Sequence, residues 1–199
     1  VEEYYFSKKL REVRLLMSQG MPIINLGIGS PDMDPPEAVL NALVETFEDD
    51  AAHKYQSYQG IPELREAIAN FYKIHFQVSV SPHTEVLPLM GSKEGILHIS
   101  MAFLNPGDEA LIPNPGYSTY QSVTNLVGAG PVFYDLHEDS NLCPVFVSLV
   151  KRGVEKVKIM WVNYPHMPTG EIGSAKLFEE LIQFGKRYEI LIVNDIPYS

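Results

Sequence analysis

Cysteine is nearly absent from this sequence: its 199 residues include one, Cys143. A single cysteine forms no disulfide within the chain and builds no zinc site from cysteine ligands, so we expect a reducing, cytoplasmic environment. The six histidines show no pair at the spacing of metal ligands on a helix, and the motif His-Glu-x-x-His does not occur. The sequence therefore predicts no metal site.

The sequence also lacks long runs of basic or of apolar residues. It carries 15 basic and 25 acidic side chains, a formal net charge of −10, and no basic run is longer than the pair Lys8-Lys9. Nothing here attracts a nucleic-acid backbone or an anionic membrane. No apolar run approaches the roughly 18 residues that span a membrane, and the start Val1-Glu2-Glu3 is acidic where a signal peptide is basic. We expect neither nucleic acid nor membrane as a partner.

Three nucleotide-binding or hydrolytic motifs are missing. The pair Gly185-Lys186 has Glu180 where a P-loop requires its first glycine. Gly27-Ile-Gly29 and Gly128-Ala-Gly130 lack the third glycine of the dinucleotide fingerprint, and Gly-x-Ser-x-Gly does not occur. These absences exclude a P-loop enzyme and disfavour hydride transfer and nucleophile-elbow hydrolysis.

The residues that are present predict an alternating α/β protein. Hydrophobic side chains make up 45% of the chain, enough for a core, and 15 prolines and 14 glycines divide it into short segments. Continuous apolar runs such as Ile190-Leu-Ile-Val193 are typical of parallel strands buried on both faces. Asn141 to Val150 gives no clear pattern. The predicted helices cover the start of the chain to Gly20, 36–47, 61–76, the segment after Gly91, 118–127 and 174–188, and the predicted strands cover 85–90, 109–113, 131–136, 157–162 and 190–193.

An ordered set of short segments is the most specific signal in the sequence. The segments are Gly29-Ser-Pro-Asp32, Tyr55-Gln-Ser-Tyr-Gln-Gly-Ile-Pro-Glu-Leu-Arg65, Gly91-Ser-Lys93, Asn114-Pro-Gly-Tyr117, Asn163-Tyr-Pro-His-Met-Pro-Thr-Gly170 and Asp195-Ile-Pro-Tyr198. Together they resemble the fold-type-I, class I/II aminotransferases that use pyridoxal phosphate, over about residues 20–199. The resemblance implies a three-layer αβα fold with a mostly parallel sheet, as in the large domain of enzymes like aspartate aminotransferase. It also implies that residues 1–45 form an amino-terminal arm and part of a small domain, and that 46–199 form the first part of the cofactor-binding domain.

Pyridoxal phosphate needs a phosphate cradle, a ring clamp, an anion at the pyridine nitrogen, a donor at the phenolic oxygen and a lysine amine. Gly91, Ser92 and Lys93 fit the cradle, because a glycine turn at a helix N-terminus presents main-chain N–H groups to an anion. By resemblance Lys93 contributes its main-chain N–H and is not the imine-forming lysine. Tyr117 is the ring-clamp candidate. An ordinary turn and a packed tyrosine are the alternatives.

Asp195 directly follows an apolar strand, and open α/β sheets bind ligands at the carboxyl ends of their strands. A carboxylate there can pair with the protonated pyridine nitrogen; a turn cap is the alternative. Tyr198 is the candidate donor to the phenolic oxygen. By resemblance, Tyr55 reaches the phosphate of the neighbouring subunit, which implies a homodimer, and Gly29 lies beside the substrate carboxylate. Either residue could instead be structural.

The sequence departs from the family pattern in two places. Met167 stands where the family usually has an asparagine that donates to the phenolic oxygen, and a thioether cannot donate. His166 could replace it, and Asn163 is a weak candidate for support of this loop. The family's imine-forming lysine and its carboxylate-binding arginine correspond to positions beyond Ser199. We therefore expect a truncated chain that is inactive by itself.

The leading hypothesis is an aminotransferase that moves an amino group between an amino acid and a 2-oxo acid. A lyase or decarboxylase of the same fold would share these motifs, because the reaction depends on which substrate bond stands perpendicular to the cofactor ring. A short, non-catalytic module that binds phosphate or pyridoxal phosphate is the alternative from another class. Met167 and the missing lysine favour that module slightly.

Overall fold

The structure is a computed structural model that describes residues 5–27, 29, 31–137 and 142–197. The chain divides into two compact units, Val1–Ser57 and Tyr58–Ser199. No helix in the described part of the chain is both long and apolar enough to cross a membrane.

The first unit contains two helices and a short 3-10 turn. Helix α1 spans Tyr5–Ser18 and helix α2 spans Glu37–Phe47, as predicted, and the 3-10 turn covers Asp50–His53. The Asp49 carboxylate starts this turn by accepting a hydrogen bond from the Ala51 N–H at 2.8 Å. None of the described residues of this unit is buried. Each of its described apolar residues is therefore at least partly exposed to solvent.

The second unit is built on a parallel sheet of four strands. They are β1 (Glu109–Asn114), β2 (Gly130–Asp135), β3 (Val157–Val162) and β4 (Leu191–Asn194), in the order β2-β1-β3-β4. Every adjacent pair is parallel. The predicted parallel sheet is confirmed, and its central strand β3 is buried on both faces, since its neighbours Ile159 and Met160 are fully buried on opposite sides of the sheet. The edge strand β4, whose apolar run predicted burial on both faces, is only partly buried, with Leu191 37% exposed.

Helices cover both faces of this sheet. The five helices of the unit are α3 (Pro62–Phe76), α4 (Ser92–Phe103), α5 (Ser118–Leu126), α6 (Phe146–Arg152) and α7 (Ala175–Tyr188). Side chains of α4 and α5 form one core with Ile112 and Trp161, and those of α6 and α7 form another with Leu111 and Met160. Gly185 lets α7 approach the sheet, since a Cβ there would lie 2.7 Å from the Ile190 carbonyl oxygen. The predicted three-layer αβα class is confirmed.

The strand predicted over 85–90 is wrong. This segment has no regular structure, and it precedes the N-terminus of α4 as an irregular stretch. Pro88 has no N–H for a ladder, and Leu87 and Leu89 are 56% and 43% exposed. Helix α6 covers the second half of 141–150, a segment without a clear sequence pattern, and ends two residues past it.

Candidate active site

The candidate site lies at the carboxyl edge of the sheet. In a parallel sheet all strands end at one edge, so the residues that follow β1, β3 and β4 come together there. They enclose a cavity of about 170 Å³. Five residues singled out from the sequence line it: Ser92, Tyr117, Asn163, Met167 and Asp195. The other lining residues are Tyr120 and Pro197.

Asp195 is anchored from both its main chain and its side chain. Its N–H donates to the Val162 carbonyl oxygen at 3.0 Å, which continues the β3–β4 ladder. The Asn163 side-chain amide donates to the Asp195 carbonyl oxygen. The Tyr120 hydroxyl donates to Oδ2 of the Asp195 carboxylate at 2.9 Å. These contacts hold a partly exposed carboxylate at the wall of the cavity.

Tyr120 is a site residue that sequence reasoning missed. Its side chain is fully buried and its ring stacks on Trp161, with centroids 5.1 Å apart and planes 7° apart. Burial raises the pKa of Tyr120 well above the ordinary tyrosine value, and the nearby negative charge of Asp195 adds to the shift. The hydroxyl therefore stays protonated and remains a donor. Its position three residues after Tyr117, on one face of a predicted helix, was the available signal.

Tyr117 lies at the start of α5 with its ring half-buried. The ring meets Tyr120 edge to face at 5.7 Å, and the Lys93 ammonium lies 5.8 Å from its centroid. The preceding glycine explains the local sequence: a Cβ on Gly116 would lie 2.3 Å from the Pro113 carbonyl oxygen. No other residue fits this turn without moving the backbone, so the turn that places Tyr117 requires glycine.

The predicted phosphate cradle lies at the N-terminus of α4. Gly91 caps the helix with φ of 94°, a backbone conformation that favours glycine, and Ser92 and Lys93 are its first two residues. Glu94 organises the turn, because its carboxylate accepts the Met90 N–H at 2.6 Å. Ser92 lines the cavity. The positive end of the α4 dipole thus lies beside Asp195 and Tyr117.

The loop after β3 is tied together by Asn163. Its side-chain oxygen accepts the Met167 N–H at 2.7 Å, while its amide nitrogen serves Asp195. Met167 lines the cavity with a side chain that offers no donor. His166 is buried and is not a cavity-lining residue; its Nδ1 pairs with the Thr169 hydroxyl at 2.8 Å. In this structure His166 holds the loop.

Four described candidate residues are not among those that line this cavity: Gly29, Tyr55, Gly91 and Lys93. Gly29 and Tyr55 belong to the first unit, where both are exposed, Tyr55 at 98%. Tyr198 lies outside the described residues. The roles implied for these residues stay predictions.

Comparison with known proteins agrees with the fold. The sequence model of the aminotransferase class I and II family matches residues 21–199. The chain belongs to this family, which confirms the resemblance drawn from its motifs. Enzymes of this family depend on pyridoxal phosphate.

Individual relatives extend this finding. The chain is 37% identical to the LL-diaminopimelate aminotransferase of Halothermothrix orenii over 98% of its own length, and 40% identical to that of Dehalococcoides mccartyi over 97%. It superposes on apo-BacF of Bacillus subtilis with a TM-score of 0.91 and 36% identity, covering 98% of this chain and 50% of BacF. It likewise spans about half the length of the two curated relatives, 50% and 49%.

Proposed function

We propose that this chain forms about half of a pyridoxal-phosphate-dependent aminotransferase, which moves an amino group between an amino acid and a 2-oxo acid. The observation that supports the proposal best is the anchored carboxylate of Asp195 at the carboxyl edge of the sheet. It shares one cavity with an aromatic ring and with the first residue of a helix. Each of these groups matches a different part of the cofactor.

The residues present fit pyridoxal phosphate by charge and by chemical type. The cofactor carries a phosphate dianion, a flat aromatic ring and a basic pyridine nitrogen. The N-terminus of α4, with Gly91, Ser92 and the main chain of Lys93, suits the phosphate. Tyr117 offers an aromatic face, and Asp195 offers the only carboxylate among the cavity-lining residues that the structure describes. The three groups meet at one cavity without a competing cation among its lining residues.

In this proposal each residue has one task. Asp195 keeps the pyridine nitrogen protonated by pairing with its N–H. Tyr117 stacks on the ring, and the first turn of α4 binds the phosphate with main-chain donors and the Ser92 hydroxyl. The Asn163 side-chain amide orients Asp195 by donating to the main-chain carbonyl oxygen of Asp195. When bound, pyridoxal phosphate supplies the electron-withdrawing ring that stabilises negative charge at the substrate carbon.

The remaining features of the proposal come from the family resemblance. We propose that Tyr198 donates to the phenolic oxygen, that Gly29 lies beside the substrate carboxylate, and that Tyr55 serves the cofactor of a second subunit in a homodimer. Residues 1–45 would form the arm and part of the small domain, and 46–199 the first part of the cofactor-binding domain. We also propose that the enzyme is cytoplasmic.

Cofactor binding tests the proposal directly. In the protein expressed from its complete gene, we expect Asp195→Asn to weaken pyridoxal phosphate about tenfold or more, because hydrogen bonds to charged groups contribute about 1.5–3 kcal/mol. The affinity is measured by equilibrium dialysis of the apoprotein. Amino transfer is then measured with a panel of amino acids that includes LL-diaminopimelate, the substrate in the relatives' names, and a 2-oxo acid as acceptor.

Asp135→Asn is the matched control. Asp135 also ends a strand of the sheet, where it accepts a hydrogen bond from the Asn114 side chain at 2.6 Å, but it does not line the cavity. We expect this variant to bind the cofactor as the unaltered protein does. The proposal is wrong if the unaltered protein does not bind pyridoxal phosphate, or if both variants weaken it equally.

A further inference from the structure

An aromatic cluster lies directly behind the carboxylate of Asp195. Tyr120 stacks on Trp161 with centroids 5.1 Å apart and meets the Tyr117 ring edge to face at 5.7 Å. Tyr120 and Trp161 are 0% and 1% exposed. A ring that is packed on both sides has little rotational freedom, so the position of the Tyr120 hydroxyl is set by the core.

The hydroxyl of Tyr120 donates its hydrogen bond to Asp195. It lies 2.9 Å from Oδ2, and the two residues are 75 positions apart in the sequence, on α5 and after β4. A buried hydroxyl without a partner would be costly, so the core and the carboxylate stabilise each other's placement. The bond also removes the freedom of the carboxylate to rotate about its Cβ–Cγ bond.

We propose that Tyr120 is a positioning residue that fixes the orientation of the Asp195 carboxylate toward the pyridine nitrogen, an inference that rests on the proposed function. With Oδ2 held by the hydroxyl, the other carboxylate oxygen is left to pair with the cofactor. Asn163 holds the main chain of Asp195 and Tyr120 holds its side chain, so the two contacts have different tasks.

Helix α5 positions both the proposed ring clamp and the residue that supports the carboxylate. Tyr117 and Tyr120 are one helical turn apart at the start of the same helix, and their rings touch. The ring clamp and the support of the carboxylate are therefore set by one element that packs on the sheet. A shift of α5 would move both together.

A comparison of two ligands tests the role. In the protein expressed from its complete gene, we expect Tyr120→Phe to weaken pyridoxal phosphate about tenfold, the usual size of a lost charge-assisted hydrogen bond. Phenylalanine keeps the stacked ring and removes only the hydroxyl. The same substitution should change the affinity for an analogue with carbon in place of the pyridine nitrogen by less than about twofold. The ring of this analogue has no nitrogen with which the Asp195 carboxylate can pair.

Two controls separate positioning from a general loss of packing. Tyr134→Phe removes another buried tyrosine hydroxyl, which donates to the Trp161 carbonyl oxygen at 2.7 Å outside the cavity, and should leave both affinities unchanged. In an Asp195→Asn background, Tyr120→Phe should add little further loss, because the carboxylate it positions is gone.

The outcomes are distinct. If Tyr120→Phe weakens both ligands equally, or matches the unaltered protein with both, Tyr120 has no positioning role and the inference is wrong while the proposed function stands. If the unaltered protein binds neither ligand, the proposed function fails and the inference fails with it. If Tyr120→Phe does not fold, the affinity ratio of the two ligands is measured in Tyr120→Met, which also lacks a hydroxyl donor, and a ratio equal to that of the unaltered protein overturns the inference.

Discussion

Helices α7 and α2 each carry apolar side chains, but those that α7 turns to the sheet are buried, whereas those of α2 are exposed. In α7, Leu181 and Phe184 are 0% and 6% exposed, because the helix packs on the sheet. In α2, Leu43 and Phe47 are 56% and 65% exposed. The apolar face of α7 is buried in the core of the second unit. The apolar face of α2 is exposed, and none of the described residues of 1–57 is buried.

The same contrast runs through the candidate site. Asp195 and Tyr117 belong to 58–199, where hydrogen bonds and ring contacts hold them in place. Tyr55 and Gly29 belong to 1–57 and are exposed. Residues on the sheet are positioned by the chain's own core, whereas the residues of the first unit depend on something else for their proposed roles. A second subunit is our proposal for Tyr55.

The largest expected effect is on the free energy of unfolding, and it compares a buried leucine of α7 with an exposed leucine of α2. Leu181→Ala should reduce the free energy of unfolding by about 3 kcal/mol, since it leaves a cavity in a fully packed site. Leu43→Ala should change it by less than about 0.5 kcal/mol, because this side chain is already exposed. Urea unfolding followed by circular dichroism measures both. An equal loss for Leu43→Ala would contradict the contrast and show that α2 is covered in the folded protein.

The next effect tests whether Tyr55 acts across subunits. Tyr55→Phe should weaken pyridoxal phosphate about tenfold, as expected for a lost hydrogen bond to a phosphate. When it is co-expressed with Asp195→Asn, each mixed dimer should regain one intact site, because each chain supplies what the other lacks. Equilibrium dialysis should then detect a fraction of sites with the affinity of the unaltered protein. If no such fraction appears, Tyr55 does not serve a partner's site.

The smallest effect concerns the pH dependence of stability. Burial lowers the pKa of His166, although a contact with the Pro115 carbonyl opposes the shift. The unfolded chain therefore takes up this proton at a higher pH than the folded chain does. The neutral His166 ring therefore makes its full contribution to the free energy of unfolding above the ordinary histidine pKa of about 6.5. This contribution is lost as the pH falls below that value. His166→Asn should flatten that loss, measured as unfolding midpoints between about pH 7.5 and 5. The assignment to His166 is wrong if His166→Asn keeps the full loss of stability at acidic pH.

Local patterns predicted most of the secondary structure. The boundaries of β3 match the predicted ones, and α7 begins one residue after the predicted start. Such elements follow from apolar periodicity, proline and glycine, which act over a few residues. The segment 85–90 has a similar apolar composition but forms no strand. A strand exists only if another strand pairs with it, and no local pattern shows that pairing.

Some residues of the candidate site could be predicted from local motifs, whereas others depend on contacts between distant parts of the chain. Asp195, Tyr117 and Ser92 could be named from the sequence, because each lies in a recognisable motif at the end of a strand or the start of a helix. Tyr120 could not, since its role depends on a hydrogen bond to a residue 75 positions away. Met167 could be named as a departure from the family. That Asn163 bonds both Met167 and Asp195 is visible only in the fold.

By itself, the sequence determined the α/β class, the family and the chemical types at the cofactor site, because turns, caps and apolar runs act on neighbouring residues. Only the tertiary structure decided which side chains meet. It joined α5 to the end of β4, turned a core tyrosine toward a carboxylate, and left the apolar face of α2 exposed. Packing brings together residues that are distant in the chain, and the energy of those contacts depends on geometry that no local pattern specifies.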